Sequence, residues 1–214
     1  MTKIPEMPPI YTFIGTKFRF LDADPKDVSL IDIAQSLAMT CRYNGHSLRH
    51  TSTAAHSVRV AERALQETGV PGIAWLALMH DAPEAYVGDI PTPLKHAMRI
   101  VCGEKKSPFD TIEDAVTAVV AQALGLDEKI TGRYSLREAW AIVNGLDYED
   151  FIAEASVECR QPKRLVPEKA IYPTGHTAKQ ARALWLRTAA KYAPTTELLV
   201  RVRSAQAYFR GAHQ

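Results

Sequence analysis

The sequence predicts an all-α fold: a helical bundle with a small β-hairpin near its N-terminal end. Three observations carry this. Apolar residues recur at spacings of three and four between helix-capping signals through most of the chain. Strand and helix patterns do not alternate, and neither GxGxxG nor a P-loop occurs, which argues against a doubly wound sheet. Strand character gathers instead at residues 10–20, IYTFIGTKFRF, where aromatic and β-branched residues surround Gly15.

The elements follow in order. After the hairpin, Ser29 and Asp32 have the spacing of a capping box, so a helix should run to about Met39. Asn44-Gly45 marks a turn inside the polar stretch 40–52. A second helix should begin near Thr53, with Val58, Ala61 and Leu65 on one face and Gly69 ending it. Pro71 sits like a first-turn proline for a third helix, apolar nearly all round from Ile73 to Met79. A helix without a polar face belongs inside other elements. Residues 88–108 read as an irregular connection enclosing a short helix from Leu94 to Val101. Ser107-Pro108 with Asp110 opens a helix ending at Gly125, and Ser135 with Glu138 caps a long one to about Glu158. Residues 160–176 read as a loop, and two amphipathic helices, about 177–192 and 196–209, close the chain on either side of Pro194.

A length of 214 residues suits a single domain over 1–214, with 1–28 as a hairpin extension and the helices of 177–214 packed on the rest. Apolar residues make up 46%, as in ordinary globular proteins. Charged residues are 23% and the net charge is +2, so nothing drives the chain toward nucleic-acid polymers or membranes. The longest apolar run, Gly72 to Met79, is too short to span a bilayer, and MTKIPEMPPI lacks a signal-peptide core. Cys41, Cys102 and Cys159 are scattered without a CxxC, which fits buried small apolar residues in a reducing cytoplasm. The arginines at 201, 203 and 210 read as solvated helix faces.

One stretch breaks the apolar pattern. ALMHDAPEAYVGDIPTP, residues 77–93, runs from core-like sequence into His80, Asp81, Glu84 and Asp89, with Pro83 forcing a kink or a new turn. Three clustered carboxylates in a buried setting repel one another, and each costs several kcal/mol unless paired. A divalent cation relieves both terms. Helix capping by Asp81 and a turn role for Asp89 are the plainer alternatives, but Lys95 is the nearest cation in sequence and does not balance three acids. His56, early in a helix of small residues, is the best upstream ligand. On the long helix an apolar stripe, Leu136, Trp140 and Val143, leads to Asp147, while Ala139, Val143 and Leu146 lead to Asp150. Periodicity alone does not separate these two. Glu154 lies near the stripe as a supporting group.

The strings RYNGH (42–46), AAHSVRVA (54–61), HDAPEAYVGDIPTPLK (80–95) and DYEDFIAEA (147–155), with TFIGTKFRF and DIAQSLA, resemble HD-domain metal-dependent phosphohydrolases. The likeness is to phage-type members allied to bacterial 5′-deoxyribonucleotidases and dNTP triphosphohydrolases, and covers about residues 10 to 190. It implies an HD-domain helical bundle in which His56, His80, Asp81 and Asp147 ligate a metal. Asp147 is preferred to Asp150 by its seven-residue step to Glu154, although the usual Ala-Asp pair reads Leu146-Asp147 here. The resemblance makes Glu84 and Asp89 the non-ligand acids of the site, and Arg42 the arginine that contacts substrate. Lys95 is a further phosphate-binding candidate, as a point charge. Two histidines and two aspartates suit manganese, cobalt, zinc, iron or magnesium. The implied reaction is hydrolysis of a deoxynucleotide 5′-phosphate, either a dNMP to deoxynucleoside and phosphate or a dNTP such as dATP to deoxynucleoside and triphosphate. The partner is a small-molecule deoxynucleotide, the assembly a homodimer or larger, and the setting cytoplasmic, a phage's host included. Two other readings stand beside it: a di-iron HD oxygenase, which needs extra histidines that the segment between His56 and His80 lacks, and a non-catalytic nucleotide-binding module.

Overall fold

A computed structural model describes residues 8–159 and 175–211. It is a helical bundle with a two-stranded hairpin, β1 (Ile10–Tyr11) and β2 (Lys17–Phe18), paired antiparallel with Ile10 opposite Phe18. Phe18 is fully buried and stacks on Tyr86, their ring centroids 4.1 Å apart. Phe13, in the hairpin turn, stacks on Phe209 at 5.9 Å, so two aromatic residues pin the hairpin to the body of the protein.

Helix α1 (Leu30–Met39) starts at Ser29, whose side chain accepts from the Ile31 amide. The reciprocal half of the expected capping box does not form. Asp32 turns the other way and accepts from the Ile14 amide at 2.9 Å, because the hairpin turn offers unsatisfied donors there. Helix α2 (Thr53–Thr68) is capped by Ser52 and closed by Gly69 in the left-handed region, φ 69°. Helix α3 (Pro71–Met79) carries Pro71 in its first turn, and every residue from Gly72 to Met79 is buried. It lies among α2, the long helix α7 (Leu136–Glu158) and α8 (Ala178–Tyr192). Trp75, fully buried in α3, donates its indole N–H to the Leu124 carbonyl at 3.0 Å.

The chain leaves α3 at His80, turns through Asp81–Pro83 and enters a single helical turn, α4 (Glu84–Val87). Amide bonds from Ala82 to Met79 O and from Glu84 to Asp81 O tighten this turn. Helix α5 (Thr92–Cys102) is longer than the expected Leu94–Val101, and its helical capping ends at Gly103, φ 69°. Capping boxes at Ser107/Asp110 and Ser135/Glu138 start α6 (Pro108–Leu124) and α7. Helices α8 and α9 (Thr196–Gly211) close the described chain. Most of the expected loop at 160–176 lies outside the described residues.

Two expectations are corrected. Arg201 is not a solvated arginine: it donates to the Ala123 carbonyl at 2.6 Å and the Val28 carbonyl at 3.1 Å, satisfying acceptors near the end of α6 and before α1. The cysteines are not core residues either. Cys41 and Cys159 are half-buried at element ends and Cys102 is exposed, since all three fall at helix boundaries. Among the described residues, no helix is long and apolar enough to cross a membrane.

The approach of the segment after α6 to α3 demands a glycine. A Cβ built on Gly72 would lie 1.8 Å from the backbone oxygen of Ile130. Gly72→Ala should therefore force the segments apart and cost about 2 kcal/mol. In a thermal melt that is a fall of roughly 4–8 °C. An unchanged melting temperature would mean that the Ile130 segment moves freely.

Candidate functional site

His56 lies in the first turn of α2, behind Thr53, Ala54 and Ala55, and is fully buried. Its Nδ1 donates to Asp150 Oδ2 at 2.7 Å. A carboxylate can only accept, so this bond places the proton on Nδ1 and leaves the Nε2 lone pair facing away. His80, at the end of α3, uses Nδ1 on the Ala77 carbonyl at 2.7 Å with the same consequence. The two rings stand 5.3 Å apart.

Two aspartates face these nitrogens. Asp81 Oδ1 is 3.1 Å from His80 Nε2, and Oδ2 is 3.5 Å from His56 Nε2. From α7, Asp147 Oδ1 is 2.9 Å from His56 Nε2 and 3.8 Å from His80 Nε2. His56 Nε2, His80 Nε2 and Asp81 Oδ2 are nevertheless buried without a hydrogen-bond partner. Imidazole nitrogens and carboxylate oxygens this close call for a positive charge among them, either protons on the rings or a bound cation. One cation answers all of them, and donor atoms of His56, His80 and Asp147 lie within 4.8 Å of one another, so the residues present fit a metal ion. The field is strongly negative. Burial and Arg42 pull the His56 imidazole down, but Asp147 and Asp150 outweigh them and push it up to about 9. Burial raises the Asp147 carboxyl, yet the His56 and His80 imidazoles beside it hold it far below the usual carboxylate range.

A second grouping, His56 with Asp150 and Glu154, also has metal-like spacing. It already holds a cation of its own. Arg59 donates Nε and Nη2 to Asp150 at 2.9 Å each, and Nη2 also to Glu154. This group is scaffold for the first.

Arg42 begins a short helical turn, Arg42–Gly45, in which Tyr43 and Asn44 take left-handed conformations, φ 61° and 50°. The turn points the guanidinium inward. Its Nε donates to Glu154 Oε2 at 2.8 Å, and Nη1 stands 3.8 Å from Asp81 Oδ2. Tyr43 donates its hydroxyl to the same Glu154 oxygen at 3.0 Å.

Glu84 opens α4, and its Oε2 is buried with no partner. Burial, then Asp81 and Asp89, push this carboxyl well above its ordinary value. Asp89 follows Gly88, φ 83°, and burial raises it too, against the pull of Arg42. Lys95 is placed differently. Its ammonium is committed to Glu113 at 2.6 Å and lies over the Phe109 ring, so it reaches Glu84 and Asp89 only through space.

The structure thus gathers His56, His80, Asp81, Asp147, Glu84, Asp89 and Arg42, and leaves Lys95 at the edge. It also corrects the stripe on α7. Asp147 is not a buried residue, since its side chain is 40% exposed, whereas Asp150 is buried at the end of the Ala139, Val143 and Leu146 row. Asp147 thus keeps access to solvent, whereas Asp150 is enclosed between His56 and Arg59. Sequence reasoning missed Arg59. The signal was present: an arginine three residues after a candidate ligand, on the same helix face, opposite two acids four residues apart.

Residues 36–137 match the model of a family described as 5′-deoxynucleotidase YfbR-like, an HD-type family. The segment holds Arg42, His56, His80, Asp81, Glu84 and Asp89; Asp147 lies beyond it. The chain is 36% identical over 117 residues to the uncharacterized protein YfdR of Escherichia coli strain K12, covering 55% of this chain and 58% of that one. It is 34% identical over 116 residues to an uncharacterized protein of Rhodobacter capsulatus, covering 52% and 56%. The chain therefore spans little more than half the length of these relatives.

Glu84 gives the site a measurable signature. It is a buried acid beside two like charges, so a neutral isostere should relieve the fold. Glu84→Gln should raise the melting temperature of chelator-treated protein at pH 8, by an amount corresponding to about 1 kcal/mol. A lower melting temperature would show that Glu84 is structurally paired.

Proposed function

We propose that the protein is a metal-dependent HD-type phosphohydrolase acting on deoxynucleotide 5′-phosphates, with dNMPs as substrates and deoxynucleoside and phosphate as products. The observation that carries this is the convergence of unpaired His56 Nε2, His80 Nε2 and Asp81 Oδ2 on Asp147, beside Arg42 and two half-buried acids of raised pKa. The match of residues 36–137 to a 5′-deoxynucleotidase family supports the substrate class and favours the monophosphate.

His56, His80, Asp81 and Asp147 would hold manganese, cobalt, zinc, iron or magnesium, a set chosen by mixed imidazole and carboxylate donors. Such an ion, when bound, polarises a phosphoryl oxygen and makes a water more acidic. Arg42, anchored through Nε, presents its remaining N–H groups to phosphate oxygens. Asp89 takes a proton from the attacking water as its oxygen bonds to phosphorus. The P–O5′ bond breaks, and Glu84, held protonated by burial and its acidic neighbours, gives its proton to O5′. Proton exchange between Asp89 and Glu84 through solvent restores the start. Burial serves both steps, since it keeps each carboxyl closer to neutral pH than an exposed one.

Purified protein with Mn²⁺ or Co²⁺, given each canonical dNMP and dNTP, should release inorganic phosphate from dNMPs. Asp81→Ala should lose at least about 100-fold in turnover together with bound metal. Triphosphate as the product from a dNTP would move the reading to the triphosphohydrolase branch. No phosphate, pyrophosphate or triphosphate from any nucleotide would overturn the enzyme assignment.

A further inference from the structure

We propose that Arg59 is a positioning residue that couples the histidine side of the site to its arginine side; this rests on the metal-centre reading above. Arg59 lies three residues after His56 on α2, so both side chains leave the same face toward α7. Its guanidinium spans two acids one turn apart on α7. To Asp150 it gives Nε and Nη2, and to Glu154 it gives Nη2. Each acid then holds one working group. Asp150 accepts from His56 Nδ1 and so aims Nε2 at Asp81 and Asp147. Glu154 accepts from Arg42 Nε and from the Tyr43 hydroxyl. One planar fork thereby sets the orientation of a candidate ligand and of the candidate phosphate-binding arm.

Charge fixes the arrangement. Asp150, Glu154 and Arg59 are all buried. Without the Arg59 charge, Arg42 would be the cation left to Glu154 and would be drawn down toward it, away from substrate. Lysine restores the charge but not the fork, because an ammonium is a single point and cannot make parallel bonds to two carboxylates with the same spread.

A purely structural strap between α2 and α7 exists for comparison. Arg63, one turn further along α2, donates to Glu149 at 2.6 Å and pairs with Glu67, both outside the site. Arg63→Lys should shift the melting temperature alone.

Mn²⁺ is titrated into chelator-treated protein, and inorganic phosphate into the Mn²⁺-loaded protein, by calorimetry, with melting curves for each variant. Arg59→Lys should weaken both affinities about tenfold, whereas Arg63→Lys leaves both within twofold of the wild type. Unchanged Mn²⁺ and phosphate affinities in Arg59→Lys, whatever its melting temperature, overturn the inference. Should Arg59→Lys fail to fold, the charge-balanced pair Arg59→Gln with Glu154→Gln takes its place. Wild-type Mn²⁺ affinity in that pair overturns the inference, and a roughly tenfold loss supports it. A wild-type protein that binds no Mn²⁺ overturns the metal-centre reading first, and this inference with it.

Discussion

The contact between His56 and Asp150 organises this protein. Two helices distant in sequence, α2 and α7, meet across a layer of buried charge rather than across apolar side chains alone. At its centre an imidazole is gripped at Nδ1 by a carboxylate, so that Nε2 has one orientation and one role. Buried ion pairs are weak contributors to net stability, because desolvation offsets much of the attraction. This layer is therefore better explained by what it orients than by what it stabilises. Breaking it is another matter, since each partner left behind is a buried charge with no answer.

The second half of the site comes from the opposite kind of element. Helix α3 is apolar on every side and fully enclosed, so its end is fixed by packing from all directions. Whatever follows it emerges at a rigid point. His80 and Asp81 sit there, and Pro83 makes the chain turn before Glu84. The stiffness of α3 lets two carboxylates and a histidine be held against their mutual repulsion. Glu84 Oε2 and Asp81 Oδ2 remain buried without hydrogen bonds as a result. A fold selected only for stability would not keep them, which makes the unpaired atoms the most informative feature of the molecule.

Most of the fold was legible in the sequence. Helix boundaries at Ser52, Gly69, Ser107 and Ser135 follow from local cap chemistry, which acts within one turn and is written in adjacent residues. The buried third helix followed from its lack of a polar face. The choice between Asp147 and Asp150 was not legible from periodicity, since three residues separate them and both fall near one helix face. Geometry divides their roles: Asp147 faces Nε2, and Asp150 faces Nδ1 of the same ring. Asp32 misled for a similar reason. Its spacing from Ser29 fits a capping box, but a donor eighteen positions away took the side chain. Arg59 was overlooked because its spacing from His56 shows only a shared helix face, while its burial is decided by Asp150 and Glu154 on another helix.

The turn that carries Arg42 shows how far the site constrains its surroundings. Left-handed backbone is tolerated by asparagine but costs an aromatic residue on the order of 1–3 kcal/mol. Tyr43 adopts it nonetheless, at φ 61°. Several bonds hold the segment in place: the Arg42 amide to the Thr51 carbonyl at 2.9 Å, the Leu48 amide to the Glu158 carbonyl at 2.8 Å, and the Tyr43 hydroxyl to Glu154. A relaxed extended turn would carry the tyrosine hydroxyl and the Arg42 Nε away from Glu154. Two of the three groups that neutralise this buried carboxylate would then be lost, leaving Arg59 alone. The strain at Tyr43 and the charge at Glu154 are thus one balance: the backbone is bent because the acid must be answered, and the acid is answered in a way that leaves the far end of Arg42 beside Asp81.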